Sequence, residues 1–397
     1  MNVLWITSAY PSEEQPGSGV FHETQVQALR RLGMNITVIC PVPQNPAMLQ
    51  YLKKTYRSRC DIPPVYQRNG VTVYRPHYLA LPGQLRWSQP DQRIAAAVLD
   101  VMDRSGLMPD VLHAHFAMPS GGAARIVAEK KQLPWLLTLH GSDVNVYPHF
   151  SKSAMRAFVQ TIGAADEVLS VGESLREKTR EMTGRDSVVL PIGIDLSRFK
   201  EPKKDKLAIR RKLGLPLDKK MMVFVGRLTE AKGIFELLQA IERLPDETAC
   251  VFVGDGPSAE KIKAHSEFNR RIFAPGQMEN ERVKDYLSAS DLFVLPSHTE
   301  GMPTVVIEAL ALKIPAVCTE VGSLPELFGN YRDLLVEPKS VDSLTQRILD
   351  YLYRELPVQE IGRDLRRQVE LHYDAGQNAA ALREAYHHVL DRALLIV

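Results

Sequence analysis

Short, β-branched apolar runs alternate with longer segments of helical period along almost the whole chain, and this alternation most narrows what it can fold into. Strand-like runs are "VLWITSA" (3–9), "ITVICPV" (36–42), "VTVYRP" (71–76), "DVLHAHF" (110–116), "WLLTLHG" (135–141), "EVLSVG" (167–172) and "SVVLPIG" (187–193). Between them lie amphipathic stretches such as "FHETQVQALRRLG" (21–33) and "SKSAMRAFVQTIG" (151–163). After residue 200 the pattern starts again. "MMVFVG" (221–226), "ACVFVG" (249–254), "RRIFAPG" (270–276), "DLFVLPS" (291–297), "PAVCTE" (315–320) and "DLLVEP" (333–338) alternate with helices such as "GIFELLQAIERL" (233–244). Such alternation predicts parallel sheets covered on both faces by helices.

Its appearing twice predicts two doubly wound α/β domains that face each other across a cleft. A chain of 397 residues is long enough for both cores. The break is expected in the polar stretch "PIGIDLSRFKEPKKDK" (191–206), which gives domains at 1–190 and 191–374. The tail is helical, and "QNAAALREAYHHVLDRAL" (377–394), within a helix over about 375–397, is expected to pack back on the first domain.

A net charge of +2 gives no footprint for nucleic acid. Cys40, Cys60, Cys250 and Cys318 form no C-x-x-C pair, which excludes a zinc knuckle or redox pair of that kind. Three lie in strand-like runs and read as small buried hydrophobes of a reducing compartment. Apolar runs fall short of the roughly 18 residues a membrane span needs, and the N-terminus lacks a basic leader region. A cytoplasmic protein is expected. "YLKKTYRSR" (51–59) mixes cations with aromatics and reads either as a solvated segment or as a peripheral contact with the membrane's inner face.

In open parallel sheets ligands lie beyond the carboxyl ends of the strands, so the loops there carry the chemistry. "PGSGVFHETQVQAL" (16–29) places Gly17 and Gly19 before a helix, where backbone N–H groups can approach an anion; a plain flexible loop is the alternative. "VGRLTEAKG" (225–233) puts Arg227 and Lys232 above a strand end, where a guanidinium and an ammonium suit a diphosphate; two solvated cations are the alternative. D-x-D is absent from the sequence, so these cations would replace an acidic metal clamp. "VGDGPSAEKI" (253–262) satisfies G-x-G-x-x-A through Gly254, Gly256 and Ala259, but the next strand-like run ends without the acidic residue a dinucleotide needs, so the glycines read as turn residues.

"TLHGSDVN" (138–145) places His140 and Asp143 where both can face the cleft, and "HAHF" (113–116) ends the preceding strand; two histidines without a further ligand do not make a zinc site. "SHTEGMPTVVIEAL" (297–310) holds Glu300 in a loop and Glu308 in a helix expected to begin at Pro303. A glutamate among "VVI" and "ALAL" is awkward to bury without partners, which ribose hydroxyls would supply. The N–H groups of Gly301, Met302 and Thr304 could bind hydroxyls or phosphate. A helix cap with one solvated glutamate is the alternative.

With these residues in view, the chain resembles glycosyltransferase family 4, nucleotide-sugar-dependent retaining enzymes of the GT-B fold, over nearly its whole length. "SGVFHETQVQALRRLG" (18–33), "PDVLHAHF" (109–116), "LHGSD" (139–143), "GRLTEAKG" (226–233) and above all the Glu-x7-Glu element "SHTEGMPTVVIEALA" (297–311) carry the resemblance. It implies that Arg227 and Lys232 hold the donor diphosphate and Glu308 the ribose. Glu300 and the backbone of Gly301, Met302, Pro303 and Thr304 would hold the transferred hexose. Gly19 or Gly17 would approach the phosphates, and His140 the donor sugar near its anomeric carbon. The base is expected along "FAPGQM" (273–278), with Gln277 among the donor-binding residues.

The family is generally metal-independent, so no cofactor and no metal are expected beyond a UDP- or GDP-sugar as substrate. The acceptor would be a carbohydrate or lipid-linked hydroxyl. The stretch from "MNVLWITS" through "VICPVP" (1–43) is similar to bacterial members that build teichuronic acid or other surface polysaccharides. A sugar-nucleotide epimerase or hydrolase on the same frame, or a non-catalytic binding protein of a polysaccharide-assembly complex, would share these binding motifs.

Overall fold

In a computed structural model, residues 1–46, 48, 63–81, 83, 88–200, 205–354 and 356–395 are described. Cys60 and the segment "YLKKTYRSR" (51–59) lie outside them. The chain divides into two compact units, Met1–Ile192 with Gly376–Val397, and Gly193–Ala375.

The strands of the first unit are β1 (Asn2–Ile6), β2 (Asn35–Ile39), β3 (Val42–Gln44), β4 (Val65–Arg68), β5 (Val71–Tyr74), β6 (His77–Leu79), β7 (Val111–His115), β8 (Trp135–Leu139), β9 (Glu167–Ser170) and β10 (Val188–Val189). Eight of them form one sheet in the order β10-β9-β8-β7-β1-β2-β5-β4, with β3 and β6 paired separately. Pairing is parallel except at the β4–β5 hairpin, a departure from the all-parallel expectation. β4 escapes the sequence reading because "VYQR" carries one exposed edge and no apolar run. The interior strands are buried on both faces, as in β7 and β8, so their sequences run apolar rather than alternate. The helix Ala375–Leu394 closes this unit. Its Tyr386 hydroxyl accepts from Trp5 Nε1–H at 3.1 Å and lies 2.6 Å from His113 Nδ1, all buried.

The second unit is a five-stranded parallel sheet of β11 (Lys220–Val225), β12 (Thr248–Val253), β13 (Ile272–Gly276), β14 (Leu292–Leu295) and β15 (Ala316–Cys318). Its order is β13-β12-β11-β14-β15. Phe224, Phe252 and Phe293 sit fully buried on adjacent strands, and helices such as Ile234–Arg243 lay their apolar faces on the sheet. "DLLVEP", expected as a sixth strand, is a 3-10 turn over Gly329–Leu334 followed by the single bridge Thr319↔Val336. With β15 only three residues long, the sheet edge gives it no longer ladder to extend. Cys40, Cys250 and Cys318 are buried.

Candidate donor site in the second unit and a histidine cluster in the first

In the second unit the chain leaves β11 toward β12 on one side, while β14 lies on the other. The strand order therefore reverses between β11 and β14, and loops diverge there to leave a crevice at their carboxyl ends. The loop after β11 is the "GRLTEAKG" turn, and that after β14 is "PSHTEGMP". The two are knitted together. His298 N–H donates to the Ala231 carbonyl at 2.9 Å. Gly233, at φ 71°, comes so close to the Pro296 carbonyl that an added Cβ would lie 1.9 Å from its oxygen. A third loop joins through Ser323 N–H to the Gly301 carbonyl at 3.0 Å and Thr319 Oγ1–H to the Ser297 carbonyl at 2.6 Å.

The G-x-G of "VGDGPSA" proves to be scaffolding for the same place. An added Cβ on Gly254 would stand 1.9 Å from the Gly226 oxygen, and one on Gly256 2.4 Å from that of Leu228. These glycines let the loop after β12 lie directly against the loop that carries Arg227.

Within this frame Lys232 Nζ donates to Glu300 Oε1 at 2.6 Å, and Ser297 Oγ–H donates to the same oxygen at 2.6 Å. The Glu300 side chain is 8% exposed and that of Lys232 28%, so a ligand can reach the ammonium while the carboxylate stays held. Arg227 is exposed, and its side chain has no ion pair among the described residues. His298 Nε2 lies 2.9 Å from Glu236 Oε1, bracing the Glu300 loop against the helix Ile234–Arg243.

That loop leads into the helix Thr304–Ala311. Pro303, expected as its first residue, is instead the N-cap, with φ −78° and an extended ψ of 99°. The N–H groups of Gly301 and Met302 donate to no backbone carbonyl among the described residues, and Thr304 opens the helix without an intrahelical acceptor. One turn on, Glu308 is 7% exposed, and its carboxyl has no hydrogen-bond partner among the described residues. Burial pushes its carboxyl up to about 8, against the opposing pull of Arg198. A carboxyl kept neutral for want of partners is a place for a ligand's hydroxyls. Gln277 is exposed just past the end of β13.

In the first unit the order reverses between β1 and β7, and the remaining candidates gather at the carboxyl ends of β1, β7 and β8. Gly19 caps the helix Val20–Arg31 in a left-handed conformation, φ 73°, and an added Cβ would meet the Ala9 oxygen at 2.6 Å. Gly17 is exposed in the preceding loop. Asp143, which the sequence placed where it can face a cleft, is fully buried. Its carboxylate accepts from the backbone N–H groups of Ala117 (2.9 Å), Gly141 (2.8 Å) and His140 (3.1 Å), which ties the loop after β7 to the loop after β8.

His140, 9% exposed, lies with Nε2 3.0 Å from His115 Nδ1. Phe116, packed 4.5 Å from the His140 ring, holds φ at 70°, a conformation costly for a bulky residue. Sequence reasoning missed His22, whose ring centroid stands 4.5 Å from that of His115 and 5.1 Å from that of His140. Its signal was its place on the helix's inner face, with Gln25, Val26 and Leu29. Burial lowers all of these histidines, His22 to about 4 and His113 to about 3, so the rings are neutral near pH 7.

Comparison with known proteins bears on both units. The Glycosyltransferase Family 4 family matches residues 17–198, and the Glycosyl transferases group 1 family matches residues 205–368. A Bacillus subtilis (strain 168) protein named "Putative teichuronic acid biosynthesis glycosyltransferase TuaC" is 54% identical over 98% of this chain and 99% of its own. The chain belongs to glycosyltransferase family 4. Solved structures show the GT-B fold of this family. Sucrose-phosphate synthase from Thermosynechococcus elongatus superposes with a TM-score of 0.79 at 19% identity, covering 99% of this chain and 100% of that one. HepE of Anabaena, solved in complex with UDP-glucose, gives 0.71 at 18% identity over 97% and 100%. Among the described residues, no helix of this glycosyltransferase is long and apolar enough to cross a membrane.

Proposed function

We propose that this glycosyltransferase is a retaining hexosyltransferase that takes its sugar from a nucleotide-diphosphate donor bound in the second unit. One observation carries the reading: Lys232, Glu300 and the partnerless Glu308 are assembled from loops that converge where the order of the second sheet reverses. In this reading the donor diphosphate draws the Lys232 ammonium and the Arg227 guanidinium. Glu300, released from Lys232 but still held by Ser297, accepts from hydroxyls of the transferred sugar. The N–H groups of Gly301, Met302 and Thr304 complete that subsite, Gln277 lies toward the base, and Glu308 takes the ribose hydroxyls.

As the glycosidic bond to the diphosphate breaks, negative charge grows on the leaving oxygen. Arg227 and Lys232 stabilise it as preorganised cations, in the place a metal clamp would otherwise take. With donor bound, Glu300 stays held by the Ser297 hydroxyl and is taken up by the sugar's hydroxyls, which suits a binding carboxylate rather than a nucleophile. The reading therefore assigns attack by the acceptor hydroxyl to the face the leaving group departs from, with retention of configuration. Names of relatives supply the pathway class. The TuaC relative is named for teichuronic acid biosynthesis, and we assign this chain to surface-polysaccharide synthesis on the cytoplasmic side, with a UDP-sugar as first candidate donor because HepE was solved with UDP-glucose.

The test is product analysis by NMR with UDP- and GDP-hexoses and a panel of carbohydrate and lipid-linked acceptors, in the presence of chelator. Acceptor-dependent transfer with the donor's anomeric configuration is expected. Inversion, or epimerised or free sugar formed equally well without acceptor, would overturn the reading.

A further inference from the structure

One ring nitrogen from each of His22, His115 and His140 lies within 4.8 Å of the other two, inside the first unit. Each ring also carries a buried nitrogen without a hydrogen-bond partner: Nε2 of His22, Nε2 of His115 and Nδ1 of His140. The arrangement of protons sharpens this. His22 Nδ1 stands 2.7 Å from the Ala9 carbonyl oxygen, which can only accept, so Nδ1 carries the proton and Nε2 is a bare lone pair. His115 and His140 share one hydrogen bond among four nitrogens. His113, in the same stack, differs: Tyr386 and Thr138 engage both its nitrogens, at 2.6 and 2.8 Å.

We propose that His22, His115 and His140 form a binding site for a borderline-soft divalent metal ion of the zinc type. Three imidazole nitrogens from three elements are the donor set such an ion prefers, with a fourth position left for an oxygen ligand. The His22 Nδ1–H bond to a backbone carbonyl is the outer-shell contact that fixes a ligating imidazole's tautomer. Metal–nitrogen bonds of about 2.0–2.1 Å at tetrahedral angles hold ligand nitrogens about 3.4 Å apart, so the rings need to draw in by no more than about 1.5 Å. Ring movements of that size leave the backbone in place. The Asp143 carboxyl, bonded to the His140 backbone N–H, fixes the loop that carries the His140 ring. His140, which keeps some exposed surface, is the side from which an ion enters. Bound there, the ion would tie the helix Val20–Arg31 to the ends of β7 and β8. The site lies in the first unit, and its test needs neither donor nor acceptor, so it stands or fails separately from the donor reading.

The probe is Co2+, added to the full-length, tag-free, chelator-treated protein and followed by equilibrium dialysis, visible absorption and thermal unfolding. One Co2+ per chain at micromolar free metal, d–d bands of a low-coordinate nitrogen site and a raised Tm are expected. His22→Asn keeps a donor for the Ala9 carbonyl but removes Nε2. It is expected to lose the bands and at least tenfold in affinity, whereas His113→Asn keeps both. Should wild type bind no Co2+ under these conditions, as when the three nitrogens merely surround a water molecule, or should His22→Asn bind it as wild type does, the proposal is overturned.

Discussion

Lys232 shows what one side chain can be asked to do. It lies 68 positions from Glu300 in sequence, and neither residue announces the other; only the adjacency of β11 and β14 brings them to 2.6 Å. Each was legible alone, as a cation above a strand end and as an acid before a helix, but their mutual bond was not. Lys232→Ala removes one preorganised donor and should lower kcat/KM by about 10²–10³ in a steady-state transfer assay. It also leaves Glu300 with Ser297 alone, so urea titration should show a loss of about 1–3 kcal/mol.

Glu308 was legible because a carboxyl amid valines and leucines has nowhere apolar to go. Its native value of about 8 stands above the ordinary 4.5, so the folded protein holds a proton that the unfolded chain has released. Its contribution to stability is whole below pH 4.5 and is lost as pH rises through about 8. In wild type, urea midpoints should fall over that window relative to Glu308→Gln, whose curve lacks this slope.

Elements were read well where a buried strand is followed by a loop and a helix, because apolar runs and glycines mark both ends. They were read poorly at the sheet margins. β4 is held by one antiparallel neighbour, and "DLLVEP" keeps strand composition while its partner β15 ends after three residues. Pro303 was given the first helical position, yet its extended ψ makes it the cap. The glycines of the dinucleotide-like "VGDGPSA" were read as turn residues, and they lie packed against the loop that carries Arg227. Gly233 tests the element scale most sharply. Gly233→Ala combines a left-handed φ with a Cβ driven into the Pro296 carbonyl, and should cost about 2 kcal/mol or more in chemical denaturation. It should also weaken nucleotide binding, because the same contact aligns the loops of Lys232 and Glu300.

For the molecule as a whole, the doubled α/β alternation established the class of fold and the tail's helix was expected on the first domain, while the order of the strands in each sheet required the structure. The helix Ala375–Leu394 counts with the first unit, and there Tyr386 meets Trp5 and His113 in a buried hydrogen-bond chain. Tyr386→Phe should cost about 1–3 kcal/mol by thermal or urea unfolding, since it leaves polar nitrogens buried without their oxygen. The histidine cluster belongs to the same lesson: His140 and the "HAHF" histidines stood out singly in sequence, but only the fold brings His115 and His140 together with His22 in the first unit. The central claim, however, rests on the second unit, and isothermal titration of UDP and GDP tests it most directly. The account predicts that wild type binds one of the two and that Lys232→Ala and Glu308→Gln each weaken it at least tenfold, about 1.4 kcal/mol. Wild-type affinity in both variants, or no binding of either nucleotide to the wild-type chain, would contradict it.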